Sequence, residues 1–427
     1  MQNYKSNTTQ ITLTKQATLL LISILPVCLL IFAFIFDTPK NIFSGVYNII
    51  ISPDVLLTDY LKVAGLGATL FNASLIALLN IFIVSRLDMR ITGAVIAGIY
   101  TILGFSFFGK TLFNIWPIYL GGLLYAKYNK ISYSNIIVVM LFATCLSPAV
   151  SQLAFHSGLP LYSGLLLGII VGVIIGFIIT PLSSHMSKVH GGFNLYNVGF
   201  TAGILGTIIY SIMKSFDMTI ERQLILSTEY DLFFRVFLII YLVLIIIIGF
   251  IINNKSFRGY KEIFKFSGKA VNDYTQLIGF GLTFINMGVM GLISVIFVYL
   301  AGGVLNGPII GGILTIAGFS AFGNHPKNSI PIMIGVYICA MIGVYDIKST
   351  AVIIAGLFGT TLAPIAGNYG IIAGIVAGFL HLCVVMNVGV IHGGINLYNN
   401  GFAGGLVASI LFPIIEAFKI NKQADKK

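Results

Sequence analysis

The sequence contains few charged residues. Charged side chains make up 9% of its 427 residues and hydrophobic side chains make up 57%, whereas about 25% of a soluble domain is charged. It also has no glycine-rich phosphate-binding loop with Lys and Ser or Thr, so we do not expect ATP-driven transport within this chain. Several apolar runs approach the length that crosses the roughly 30 Å hydrocarbon core of a bilayer. The sequence therefore predicts an all-α polytopic membrane protein.

Cysteine is scarce as well. The four cysteines lie in apolar runs and form no Cys-x-x-Cys pair, which argues against disulfides and thiolate metal sites; they are Cys28, Cys145, Cys339 and Cys383. We expect no metal and no cofactor. The net charge of +11 would suggest nucleic acid in a soluble protein, but Lys and Arg accumulate in cytoplasmic loops of membrane proteins. The expected partner is a lipid bilayer and not nucleic acid.

The chain is two copies of one unit. "DYLKVAGLGATLFN" from Asp59 aligns with "DYTQLIGFGLTFIN" from Asp273, and "GFSFFGK" from Gly104 aligns with "GFSAFGN" from Gly318, both at a shift of 214. "HGGFNLYNVGF" from His190 recurs as "HGGINLYNNGF". The predicted organisation is a cytoplasmic tail (1–15), membrane repeat 1 (16–217), an acidic extracytoplasmic connector (218–230), membrane repeat 2 (231–418) and a basic cytoplasmic tail (419–427).

Each repeat contains about seven hydrophobic segments. In repeat 1 they are 17–36, 60–85, 91–108, 112–126, 134–150, 161–182 and 197–214. In repeat 2 they are 234–253, 274–299, 305–322, 329–344, 349–366, 368–388 and 399–418. The first lacks a small-residue cleavage site and is expected to remain as a transmembrane helix. Some segments are short or rich in glycine, so re-entrant half-helices are an alternative to full spans.

The basic residues predict opposite orientations for the two repeats. Seven spans per repeat, starting from a cytoplasmic N-terminus, place 17 of the 24 lysines and arginines inside. "SRLDMR" from Ser85 is basic, while its counterpart "LAGGVLNG" from Leu300 is uncharged. An odd number of crossings makes the repeats inverted, with substrate sites near the midplane at their interface. An even number would remove the inversion. We expect a multi-pass protein of the bacterial inner membrane with both termini cytoplasmic.

The repeated phrase supplies the first candidate site residues. Its polar side chains donate and accept hydrogen bonds without a fixed charge; they are His190, Asn194, Tyr196 and Asn197, with His392, Asn396, Tyr398 and Asn399 in repeat 2. The paired glycines Gly191 and Gly192, and Gly393 and Gly394, permit tight turns. These side chains either line a solute pathway or cap helices and hold a broken turn.

Other matched positions also predict polar contacts or helix breaks. Asn72 and Asn286 lie inside apolar segments, where asparagine either hydrogen-bonds a neighbouring helix or lines a pathway. Ser106 and Ser320 fall in the filter-like phrases from Gly104 and Gly318. Prolines at matched sites are expected to interrupt helices: Pro117 with Pro331, and Pro148 with Pro364.

The duplication and both copies of HGG-x-NLYN-x-GF resemble an uncharacterised bacterial family of multispanning proteins that is catalogued as a domain of unknown function. "GLGATLFNASLIAL" from Gly65 and "GGFNLYNVGFTAGILG" from Gly191 are more distantly similar to the Gly…Phe-Asn…Leu-x-Gly phrase of urea transporters. That resemblance implies two inverted halves around a pore for a neutral solute. The urea-transporter phrase Leu-Pro-x-x-Thr-x-Pro-Phe is absent from this chain.

The function that these features predict is a transporter or channel for a small polar solute, with its pathway between the repeats. No Asp, Glu, Lys or Arg falls clearly within the middle of a predicted span, so coupling to protons through a buried carboxylate is not expected. An anion held by half-helix N-termini stays open. The alternatives are a non-transporting scaffold or sensor and, less favoured, a membrane-embedded enzyme. A homo-oligomer is also open.

Overall fold

A computed structural model describes residues 13–221, 223–269 and 272–424, without the side chains of 419–424. The expected tail 1–15 therefore lies mostly outside the described residues, as do the side chains of the tail 419–427. In repeat 1 the helices are α1 (Lys15–Phe36), α2 (Pro39–Ile50), α3 (Tyr60–Arg86), α4 (Gly93–Phe105), α5 (Trp116–Tyr128), α6 (Ile137–Ala143), α7 (Ser147–Phe155), α8 (Leu161–Val189) and α9 (Asn197–Ser215).

In repeat 2 the helices are α10 (Asp231–Ile252), α11 (Tyr274–Leu277), α12 (Phe280–Leu300), α13 (Gly307–Phe319), α14 (Pro326–Ile342), α15 (Thr350–Phe358), α16 (Ala363–Tyr369), α17 (Ile371–Val388) and α18 (Asn399–Ala424). Ten helices of the described chain are long and apolar enough to cross a membrane, five in each repeat. They are α1, α3, α6–α7, α8, α9 and their counterparts α10, α12, α15–α16, α17 and α18. The chain is thus a polytopic α-helical membrane protein with a duplicated domain.

The shorter helices α4 and α5, and α13 and α14, form a hairpin in each repeat. The side-chain nitrogen Nδ2 of Asn72 on α3 donates to the carbonyls of Ser106 and Lys110, at the tip between α4 and α5. Tyr119 on α5 hydrogen-bonds Asn80, which lies two turns further along α3. Helix α5 therefore runs back toward the end of α3 from which α4 came. Five candidate spans and one hairpin per repeat stand in place of the seven expected crossings, so the number of candidate spans per repeat is odd.

Two faces of the molecule can now be defined. The basic face carries the loops with Arg86, Arg90, Lys127 and Lys130, at the ends of α3 and α5. The start of α1 also lies there, because Lys15 donates to the carbonyl of Leu87. The connector face carries the segment 51–59 and the connector after α9. The backbone of Ile225 in the connector bonds that of Leu57 and Asp59.

The half-helices α4 and α13 pack side by side and antiparallel around a pseudo-twofold axis. Their contacts come in symmetric pairs: Gly104 meets Gly311 while Gly318 meets Ala97, and Gly93 meets Ala321 while Gly307 meets Phe107. A Cβ atom on Gly104 would lie 2.8 Å from the carbonyl oxygen of Gly311, so this spacing requires glycine. Equivalent elements that meet antiparallel across one axis are what an inverted duplication produces.

Two aspartates join the repeats at the ends of these half-helices. Asp59 caps α3 through the amide of Leu61 (3.0 Å) and also accepts from the amide of Gly307 at the start of α13 (3.1 Å). Asp273 caps α11 through the amide of Thr275 (3.1 Å) and accepts from the amide of Gly93 at the start of α4 (3.0 Å). A carboxylate is stabilised at a helix N-terminus. Each repeat therefore caps the half-helix of the other.

The structure departs from the sequence-based expectations in three further places. The short helix α2 was not predicted; it buries Ile42 and Ile49 and leaves Phe43 exposed. Pro331 was expected to break a helix, but α14 continues through it. Because α14 begins at Pro326, Pro331 removes one backbone hydrogen bond near the helix start without ending the helix. Pro117 stands in the first turn of α5, where proline is tolerated.

Replacing Asp59 should destabilise the protein more than replacing Asp273. Asp59 is fully buried and also accepts from the amide of Ser227, so Asp59→Ala leaves three buried amides without a partner. We expect the free energy of unfolding to fall by about 3 kcal/mol. Asp273→Ala is the matched control, at a partly exposed position. Thermal unfolding in detergent measures both; an equal loss for the two variants contradicts the assigned role of Asp59.

Candidate functional site

The repeated phrase forms the same turn twice, between α8 and α9 and between α17 and α18. Gly191 and Gly192 have φ values of 58° and 78°, and Gly393 and Gly394 have 59° and 79°. These left-handed conformations suit glycine, because a side chain would be strained there. The turn carries the chain from the end of one spanning helix to the N-terminus of the next.

Histidine and asparagine side chains close this turn. Nε2 of His190 donates to Oδ1 of Asn197 at 2.9 Å, and Nδ2 of Asn197 donates to the carbonyl of Ser183 on α8. His392 and Asn399 repeat the pair at 2.9 Å, and Asn399 donates to the carbonyl of Val385. Since these asparagine oxygens are already occupied, these groups hold the turn in place.

Each turn also bonds to a helix break in the other repeat. A 3-10 turn at Gly359–Leu362 separates α15 from α16, and the amide of Leu195 donates to the carbonyl of Thr361 at 2.9 Å. A 3-10 turn at Thr144–Leu146 separates α6 from α7, and the amide of Leu397 donates to the carbonyl of Cys145 at 2.9 Å. Pro148 and Pro364 follow these breaks. The break of each repeat is therefore satisfied by the turn of the other.

The two turns meet at the pseudo-twofold axis. Nδ2 of Asn194 donates to the carbonyl of Gly401 at 3.0 Å, and Nδ2 of Asn396 donates to the carbonyl of Gly199 at 3.3 Å. Helices α9 and α18 thus begin side by side and run toward opposite faces. Helix α9 has no side-chain cap. Both helix N-termini, with their partial positive charge, lie at the centre of the molecule.

Six aromatic side chains surround this centre. Phe105 stacks on Phe358 at 5.3 Å and touches Tyr398 at 4.6 Å between ring centroids. The symmetry-related contacts are Phe319 with Phe142 at 5.4 Å and Phe319 with Tyr196 at 4.3 Å. We call these six residues the ring cluster. All six are buried.

A cavity reaches the ring cluster from each face. The basic-face cavity, of about 220 Å³, extends from Ala94 and Val138, in the first turns of α4 and α6, to the ring cluster. The connector-face cavity, of about 350 Å³, extends from Leu56 and Ala351 to Phe358. The walls of both include Phe358, Leu397 and Asn400. The two cavities are approximately related by the pseudo-twofold axis.

Comparison with known proteins places this chain in a family. The model of the family described as "Protein of unknown function (DUF1576)" matches residues 38–215 and 252–417. The chain belongs to the DUF1576 family. The two matches correspond to the two repeats, so the expected resemblance to an uncharacterised, duplicated family is confirmed.

No curated protein and no solved structure matched the chain. The distant similarity to urea transporters therefore stays a prediction. DUF1576 lends no activity to the site, and its chemistry has to be argued from the side chains.

Some of the polar residues that this sequence predicts as site residues line the cavities. Tyr196, Asn197 and Tyr398 line the basic-face cavity, and Asn399 lines the connector-face cavity. Others border neither of these two cavities and have contacts elsewhere: His190, Asn194, His392, Asn396, Asn72, Asn286, Ser106 and Ser320. Asn286 donates to the carbonyls of Ser320 and Asn324, as Asn72 does in repeat 1. The second group holds turns and hairpin tips together.

Lys110 was not expected to be buried, because the sequence showed no charged residue clearly within a span. Its side chain is fully buried at the tip of the first hairpin. Nζ donates to the hydroxyl of Tyr398 at 2.9 Å and lies 5.5 Å from the ring centroid of Phe105. None of the ion pairs of the described residues includes it. The sequence phrase "GFSFFGK" was interpreted as a filter-like break. The lysine at its end could have indicated a buried charge.

Asp54, in the segment 51–59, was also missed. Its carboxylate accepts hydrogen bonds from Ser52, Tyr60, Asn114 and Ser151 at 2.5 to 3.0 Å. Burial raises the pKa of Asp54 to about 7, although these four donors act to lower it. All four partners are donors, so the carboxylate ties the first hairpin tip and α7 to this segment. Repeat 2 has a glycine at the equivalent position, Gly268.

Asn400 is a third residue that sequence reasoning did not select, because Val198 replaces it in repeat 1. It lines both cavities, and its Oδ1 accepts from Nε2 of the buried His381 at 3.1 Å. Its amide nitrogen makes no hydrogen bond to a described residue, although its side chain is only 6% exposed. Among the described residues, no three His, Cys, Asp or Glu side chains lie close enough to hold a metal ion.

Asn194→Ala should destabilise the protein. The variant removes the Asn194 side chain from its bonds to the carbonyl of Gly401 and the hydroxyl of Thr361. We expect the free energy of unfolding to fall by about 2 kcal/mol. Asn396→Ala, whose bond across the axis is longer, is the control and should lose less. Thermal unfolding in detergent measures the difference. An Asn194→Ala protein as stable as the wild type contradicts the proposed contact.

Proposed function

We propose that the protein is a transporter or channel for a small polar solute, with its pathway between the two repeats. One observation carries the proposal: two cavities from opposite faces share Phe358, Leu397 and Asn400 at the centre of the molecule. Transporters built from inverted repeats bind their solute near the membrane midplane, between the repeats and beside broken helices. The breaks at residues 144–146 and 359–362 lie beside this centre.

The ring cluster is the barrier in this proposal. All six of its rings line the basic-face cavity, and Phe358 also lines the connector-face cavity. A hydrophobic constriction of this kind controls passage. A channel would need small rotations of these rings, and a carrier would rock one repeat against the other. Both schemes use the same residues, so the proposal covers both.

A non-transporting scaffold or sensor is the competing function. It requires no cavity at the repeat interface and no polar residue facing one. Asn400 and the hydroxyl-bearing Tyr196 and Tyr398 border the cavities. Burying such polar groups costs free energy unless they are hydrogen-bonded or face water. This arrangement favours transport.

Filling the basic-face cavity should block passage. Val139 lines this cavity and is partly exposed to it, so Val139→Trp should remove most of the solute entry without disturbing the buried core. Val236 points outward on α10 and is 51% exposed, so Val236→Trp is the matched control on the lipid side. Re-swelling of proteoliposomes after an osmotic challenge measures entry for neutral and anionic solutes. Unchanged entry in Val139→Trp contradicts the pathway.

We also propose that the basic face is cytoplasmic, because Lys and Arg concentrate on that side. Lys130 follows α5 and Lys348 follows α14, at corresponding places of the two repeats, and both are exposed. In intact cells, a membrane-impermeant maleimide should label Lys348→Cys and not Lys130→Cys, and it should label both after permeabilisation. The wild-type chain, whose four cysteines lie in or beside helices, sets the background. Labelling of both variants in intact cells contradicts the inverted orientation.

A further inference from the structure

We propose that the solute is a small anion, bound at the centre through Tyr398 and Asn400 and attracted by Lys110. This inference rests on the proposed transport function and names its substrate class. It comes from three positions at which repeat 1 and repeat 2 differ, and from the hydrogen-bonding groups that remain available at the cavity walls.

Lys110 is the first of these positions. Its counterpart in repeat 2 is Asn324, so the pseudo-symmetric scaffold does not itself require a lysine there. The buried Nζ lies against the rings of Phe105 and Tyr398, at 5.5 and 5.0 Å from their centroids. No carboxylate of the described residues pairs with it. A buried cation without a partner is costly, and an anion in the adjacent cavity would offset that cost.

Tyr398 connects this cation to the cavity. Its hydroxyl oxygen accepts from Lys110 at 2.9 Å, so the hydroxyl proton is left to donate elsewhere. Tyr398 also lines the basic-face cavity. A hydroxyl polarised by an ammonium is a stronger donor than an ordinary phenol. Lys110 therefore influences a solute in the cavity by strengthening the hydrogen bond that the Tyr398 hydroxyl can donate.

Asn400 adds a second donor where the two cavities share a wall. Because its Oδ1 already accepts from His381, the group left for a solute is the amide nitrogen, which only donates. In repeat 1, Val198 occupies the position of Asn400 and Ile179 occupies the position of His381. Like Lys110, this polar pair is a departure from the symmetry, and Asn400 lies on the wall that the two cavities share.

Three side-chain amide oxygens near the centre are occupied, whereas the hydroxyl of Thr101, which lines the basic-face cavity, has no hydrogen-bond partner among the described residues. Oδ1 of Asn197, of Asn399 and of Asn194 already accept from His190, His392 and Thr361 respectively. No carboxylate of the described residues lines either cavity. The two helix N-termini add partial positive charge. A site with donors, a nearby cation and no carboxylate among the described residues of its walls is complementary to an anion.

The test uses the full-length protein in vesicles made permeable to potassium with valinomycin. Hyperosmotic potassium nitrate, potassium formate, urea and glycerol are applied separately, and the rate of re-swelling reports entry of the anion or the neutral solute. We expect nitrate or formate to enter faster than urea and glycerol. Entry of the neutral solutes without the anions overturns the anion assignment and leaves the transport function standing. Entry of none of the four overturns both.

Variants test the assigned donors. Lys110→Asn installs the residue found at the same position of repeat 2 and should slow anion entry by about tenfold or more. Tyr398→Phe keeps the ring contacts, removes only the hydroxyl and should slow it as well, which covers the case in which Lys110→Asn fails to fold. Lys62→Asn is the control, because Lys62 is an exposed lysine on the connector face that pairs with Glu229 at 3.3 Å. Anion entry at the wild-type rate in both site variants overturns the assignment.

Discussion

Non-helical backbone at membrane depth must find its hydrogen-bond partners inside the protein, because lipid offers none. In this molecule several of these partners come from the opposite repeat. The turn at Leu195 bonds the break at Thr361, the turn at Leu397 bonds the break at Cys145, and the aspartates at 59 and 273 cap half-helices across the axis. The hairpin tips are bonded within their own repeats, by Asn72 and Asn286. The inverted arrangement therefore supports the broken helices that border the cavities.

Symmetry also indicates which residues serve the fold and which serve the solute. Residues present in both repeats, such as the His–Asn pairs and the asparagines on α3 and α12, hold turns and hairpin tips. Several buried polar residues differ between the repeats, and Lys110, Asn400 with His381, and Asp54 are among them. Asp54 is fully paired and belongs to the scaffold. Lys110 and Asn400 keep donors near the cavity walls, and they carry the chemical character of the proposed pathway.

Much of the fold was predictable, because apolar length and internal alignment report directly on membrane spans and duplication. The odd number of crossings followed from loop charges, although two expected spans per repeat form a hairpin. Contacts across the axis could not be read from the chain, since Asn194 and Gly401 are 207 positions apart. The repeated phrase drew attention to polar residues that occur in both repeats, and most of them hold the turns. Lys110 and Asn400 escaped because selection by repetition discards positions where the repeats differ.

The central claim is that the two cavities open to opposite faces and meet at the ring cluster. Val138 and Ile354 occupy matched positions at the starts of α6 and α15, and they line the basic-face and the connector-face cavity respectively. The most direct measurement is the reaction rate of Val138→Cys and Ile354→Cys with a small charged thiol reagent added to one side of sealed vesicles. The account predicts that each cysteine reacts from its own side only, Val138→Cys from the basic face and Ile354→Cys from the connector face. Reaction of both cysteines from the same side, or of neither from any side, would contradict it.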